Sequence, residues 1–112
     1  MSVSVATARR LALELPESTE APHHAMTSFR VAGKIFATVP PDTGRLHVFL
    51  PQDEVAAYCA EFPDAVEELW WGTRLQGCRV VLRLADRGLV RELLTESWRR
   101  KAPKRVLAAY DG

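Results

Sequence analysis

The chain is poor in cysteine, and its two, Cys59 and Cys78, share no Cys-x-x-Cys spacing and adjoin no histidine-rich tract. That excludes a zinc-ribbon pattern and a disulfide framework, and it suits reduced core thiols in an intracellular protein. Long apolar runs are also missing. The opening segment, MSVSVATARRLALEL, carries Arg9 and Arg10 inside an alternating pattern. Neither a secretory leader nor a membrane span is expected from it, and the cytoplasm is the expected compartment. No internal repeat, low-complexity tract or linker occurs, so residues 1–112 read as a single domain. Phosphate loops, nucleophile elbows and dinucleotide fingerprints are absent too. Charge of either sign is scarcely in excess: 15 basic against 14 acidic residues leave a formal +1, so any electrostatic argument rests on distribution.

What is present is a sequence that changes period. Val5, Ala8, Leu11, Ala12 and Leu15 recur at helical spacing behind Ser2 and Ser4, and Pro16 ends the run, predicting a helix over 4–15. Phe29 and Val31 then alternate with Ser28 and Arg30. Ala32-Gly33 makes a tight turn, after which Ile35, Ala37 and Val39 alternate with Lys34, Phe36 and Thr38. Beyond the turn PPDTG, Leu46, Val48 and Leu50 alternate with Arg45, His47 and Phe49, completing a three-stranded antiparallel meander. A short helix starts near Pro51 or Gln52, with Val55, Cys59 and Phe62 on its apolar side, and Pro63 stops it. AVEELWWG reads as a strand or an irregular crossing, and Cys78, Val80, Leu82 and Leu84 mark a further strand. Asp86 caps a last helix striped by Leu89, Val90, Leu93, Leu94 and Trp98; Pro103 breaks or kinks it, and KRVLAAY adds a final turn or two. The expected fold class is α+β: a two-layer sandwich with the N- and C-terminal helices packed on one face of an antiparallel sheet.

If the aliphatic positions face the helices, the opposite face displays Arg30, Lys34, Phe36, Arg45, His47, Phe49, Arg79, Val81 and Arg83. None of these is acidic, and Asp42 is the only carboxylate between Thr27 and Leu50. Cations interleaved with phenylalanines suit a phosphate backbone with stacking bases. The competing explanation is a solvated sheet face over which long basic side chains lay their stems. The stretch SWRRKAPKR (97–105) adds Arg99, Arg100, Lys101, Lys104 and Arg105. Cations in the last turn of a helix answer its negative end, whereas Pro103 directs Lys104 and Arg105 away from that helix.

Other candidates for chemistry are weak. His23 and His24 are adjacent and diverge in extended chain, and His47 is distant, so no metal is expected. Cys59 and Cys78 fall on core faces. Glu67-Glu68 and Asp53-Glu54 are ordinary surface pairs, and Trp70-Trp71 places one ring in the core and the other at a rim. Neither an enzyme nor a bound cofactor is expected.

Three stretches, PHHAMTSFRVAGKIFATV, WWGTRLQGCRVVLRL and SWRRKAPKRV, together resemble the MmcQ/YjbR family of small bacterial proteins, over roughly Ala6 to Ala109. The resemblance implies a frataxin-like α/β fold, described as a double-wing DNA-binding motif. It carries Arg30, Lys34, Lys104 and Arg105 over as matching cations. Where relatives commonly have Trp after the glycine matching Gly77, this chain has Cys78. The expected function is nucleic-acid (DNA) binding with low sequence preference by a monomer. Arg30, Lys34, Arg45, Arg79 and Arg83 would contact phosphates, assisted by Lys104 and Arg105, with Phe36 or Phe49 stacking. The alternative is a non-enzymatic module for a small anionic ligand or a protein partner. Its site would be a groove between the sheet and residues 64–77, touching His23, Lys34 and Trp71.

Overall fold

Two helices begin where the chain supplies a side-chain cap. Ser4 Oγ accepts from the Thr7 N–H at 3.0 Å, opening α1 (Val5–Leu13), and Asp86 Oδ1 accepts from the Leu89 N–H at 2.8 Å, opening α3 (Arg87–Lys101). In this computed structural model, which describes residues 2–112, the order is α1, β1 (Ser18–His23), β2 (Met26–Val31), β3 (Lys34–Val39), β4 (Arg45–Phe49), α2 (Gln52–Glu61), β5 (Val66–Trp71), β6 (Arg74–Val81), α3 and α4 (Lys104–Asp111). The six strands form one antiparallel sheet in the order β1-β2-β3-β4-β6-β5.

All helices that meet the sheet lie on one side of it. α1 and α3 pack together over β1, β3 and β4, while α2 covers β5 and β6. The Tyr58 hydroxyl donates to Glu92 Oε2 at 2.5 Å and ties α2 to α3. Between the layers, Trp98, Phe29, Phe36, Leu46, Leu93 and Leu94 are fully buried, and the Trp98 indole N–H donates to the Pro16 carbonyl at 3.1 Å. This is the α+β sandwich that periodicity predicts. No helix among the described residues is long and apolar enough to cross a membrane.

The sheet is larger than a meander with one or two additions. β1 lies at one edge, where a polar segment containing Pro22 is tolerated because its outer N–H groups need no ladder partner. β5 is a full strand at the other edge, with a register shift between Leu69 and Trp70. Leu82–Leu84 turns into a short 3-10 segment instead of prolonging β6, and the last helix divides at Pro103 into α3 and α4.

Two irregularities shape the uncovered face. In β2–β3 the register steps from Phe29↔Ala37 to Arg30↔Ile35, which leaves Phe36 as an extra, unpaired residue. Between β3 and β4 only Ala37↔Val48 and Thr38↔His47 are paired. The Ser97 hydroxyl of α3 fills the gap beyond them, accepting from the Phe49 N–H at 3.0 Å and donating to the Phe36 carbonyl at 2.6 Å.

Candidate functional site

The face of the sheet opposite the helices carries a groove of about 640 Å³. Its floor is a row across the three central strands: Thr38 on β3 is paired with His47 on β4, and His47 with Arg79 on β6. One wall comes from the β1–β2 tip (His23, His24, Met26), the other from the β5–β6 tip (Leu69, Trp70, Trp71). All three histidines of the chain therefore line one concavity, and no carboxylate joins them among its lining residues. Burial pushes the His47 pKa below its usual value, and the neighbouring Arg79 charge pushes it further the same way, so the imidazole is neutral at pH 7. A neutral imidazole offers one donor and one acceptor.

Lys101 enters the groove from the helix layer. Ser97 is wedged where β3 and β4 part, and Lys101 lies one turn further along the same side of α3. It lines the groove with Phe49 and Gln76. At the far rim Trp71 is 79% exposed and Trp70 is 49% exposed, the Trp70 indole N–H donating to Glu68 Oε1 at 3.1 Å. The expectation that one of these indoles enters the core does not hold. A register shift between Leu69 and Trp70, just before the turn at Gly72, leaves both at the groove mouth.

The cations expected on this face are dispersed. Arg79 alone of them lines the groove. Arg30 is folded back along β1–β2, its Nε donating to Ser28 Oγ at 3.1 Å. Arg45 stands 3.9 Å from Glu67, which β5 places directly opposite Arg79. The bare face is thus not free of acid, contrary to the pattern of the strands read alone. Lys34 is exposed at the β2–β3 turn, outside the groove. Three further expectations are corrected. Phe36 does not stack ligands: the bulge turns it into the core, where it is fully buried. Arg83 is exposed on the 3-10 segment, off the sheet. Arg105 is held by Glu17 through contacts of 2.9 and 3.2 Å and does not line the groove. Phe49 is where alternation puts it, half-buried in the groove.

The basic tail has mostly structural employment. Arg99 grips Asp111 at 2.7 and 3.1 Å and lies over the Tyr110 ring, and Arg100 pairs with Glu54. Lys104 is exposed at the start of α4. Lys101 is the member that reaches the site. Its role was hidden because a helix-end cation needs no further explanation, yet its spacing of four from a buried serine is the signal that locates it. The alternative groove expected beside residues 64–77 coincides with this one at His23 and Trp71 but excludes Lys34. No group of three or more His, Cys, Asp or Glu among the described residues is placed to hold a metal ion.

An antiparallel sheet with its helices on one side and a grooved bare face on the other defines a small α+β protein. The family model for YjbR matches residues 13–100, and the chain belongs to that family. A solved structure of the Deinococcus radiodurans protein DR2400, with the family domain DUF419, is similar in fold. The TM-score is 0.71 at 20% identity, covering 85% of this chain and 75% of that one. No curated protein matches the chain.

Proposed function

We propose that the groove on the bare sheet face binds nucleic acid. The observation that carries this reading is the composition of the groove: Arg79 and Lys101 sit among three histidines without a lining carboxylate, and two exposed indoles stand at the rim. Fixed cations neutralise phosphates with release of counterions, and indoles offer platforms for bases whatever their identity. The DNA-binding role implied by the family resemblance points the same way by analogy. The test is fluorescence anisotropy of a labelled oligonucleotide at about 20–200 mM salt. Binding is expected to weaken as salt rises and to fall at least about tenfold in Arg79→Glu/Lys101→Glu. Absence of binding at the lowest salt refutes the reading.

A second reading is a small anionic ligand with a flat apolar body. The groove volume favours it, since about 640 Å³ lies within the ~300–1,000 Å³ usual for small-molecule sites. Nucleoside monophosphates displacing the oligonucleotide at concentrations near their own Kd would favour this second reading over the first.

A further inference from the structure

We infer that the nucleic acid taken by this groove is single-stranded, with at least one base entering it against Trp71 while the flanking phosphates meet Arg79 and Lys101. This inference rests on the nucleic-acid reading above. Three independent features of the groove carry it.

The first is stacking surface. Trp71 is 79% exposed at the rim and Phe49 lies within the groove. Bases in a duplex already stack on one another, so such platforms serve only bases that have been splayed out. The second is the floor. Thr38, His47 and Gln76 are neutral groups, each able to donate and accept hydrogen bonds, recessed between two hairpin tips. They complement base edges that pairing would occupy.

The third is charge. Duplex DNA carries about one negative charge per 1.7 Å, and duplex-binding proteins commonly neutralise about 6–10 phosphates. This groove offers two permanent cations, Arg79 and Lys101. Arg45, Arg99, Arg100 and Arg105 are each paired with a carboxylate. A short single strand, whose bases supply the remaining contacts, matches that supply; a duplex tract does not.

The experiment compares a labelled single strand of mixed sequence with the same sequence in duplex form, by anisotropy, for wild type, Trp71→Ala and Trp71→Phe. The single strand should bind at least about tenfold tighter than the duplex. Its Kd should rise only about sevenfold between roughly 50 and 200 mM salt, the dependence for two phosphate contacts on a single strand. Trp71→Ala should lose about 5- to 140-fold on the single strand and leave duplex binding unchanged, and Trp71→Phe should restore most of the loss. The exposed position of Trp71 lets these variants keep the wild-type thermal midpoint, which is checked first. Duplex binding equal to or tighter than single-strand binding overturns this inference and leaves the nucleic-acid reading standing. Single-strand binding insensitive to Trp71→Ala overturns it as well. No binding of either form at low salt overturns both readings.

Discussion

Ser97 donates its hydroxyl hydrogen to the carbonyl oxygen of Phe36, 61 positions away, at 2.6 Å. Both residues are fully buried, and the same hydroxyl receives the Phe49 N–H, so one small side chain satisfies two strands where their own ladder stops.

Removing that hydroxyl leaves a buried carbonyl and a part-buried N–H without partners. Ser97→Ala is expected to cost about 1–3 kcal/mol of stability. Urea denaturation reads this as a lower midpoint with an unchanged slope. A variant within about 0.3 kcal/mol of wild type would show that the two strands find other partners.

At Gly77 β6 runs too close to β4 to admit a side chain. A Cβ at that position would lie 1.9 Å from the Val48 carbonyl oxygen and 2.8 Å from the Phe49 Cα, both backbone atoms. Gly77→Ala must force β4 and β6 apart, and a loss of about 3 kcal/mol or more is expected. Soluble yield and thermal midpoint report it directly. An alanine variant that melts with wild type would contradict the register Phe49↔Gly77.

The pH response on the acid side carries a signature of His47. Its folded pKa lies below the ordinary 6.5, so below about 6.5 the unfolded chain takes up a proton that the folded one resists. The stability associated with neutral His47 is therefore complete above 6.5 and is lost as pH falls toward the folded pKa. Comparing thermal midpoints between about pH 7.5 and 5, His47→Gln should show a shallower decline than wild type. Parallel curves would mean that the imidazole is solvated in both states.

The thiols should be sluggish. Burial pushes the Cys78 thiol up to about 12, and burial also raises Cys59, with Glu68 adding to the effect. An aromatic disulfide reagent at about pH 8 should modify Cys59 slowly and Cys78 only after unfolding in urea, because the thiolate is the nucleophile. Rapid modification of both in the native state would place them outside the packing between α2 and β6.

Much of this architecture was legible, and the failures share a cause. Caps and apolar stripes located α1 and α3, and period-2 alternation located β2, β3, β4 and β6, because each signal is local. β1 escaped because STEAPH has no apolar alternation, an edge strand with one polar face needing none. The register shifts escaped because one extra residue reverses the facing of a strand without altering its composition, which is how Phe36 moved from the bare face to the core. Arg79 and Phe49 were legible because the alternation of β6 and β4 holds, whereas His23 and Trp71 were named as groove contacts although β1 was missed and β5 was left open. The charge balance of the site was not legible: Arg45–Glu67 and Arg105–Glu17 join distant segments, and no local pattern announces them.

The sheet has a narrow seam. Three strands, β1-β2-β3, stand on one side and three, β4-β6-β5, on the other, with two residue pairs and a helix hydroxyl stitching them together. His23 and His24 belong to one half and Trp70 and Trp71 to the other, so the two walls of the groove meet only across this seam and the helices that bridge it. Because α3 supplies both the stitch and, at Lys101, a charge inside the cleft, the width of the groove and its electrostatics are set by a single element.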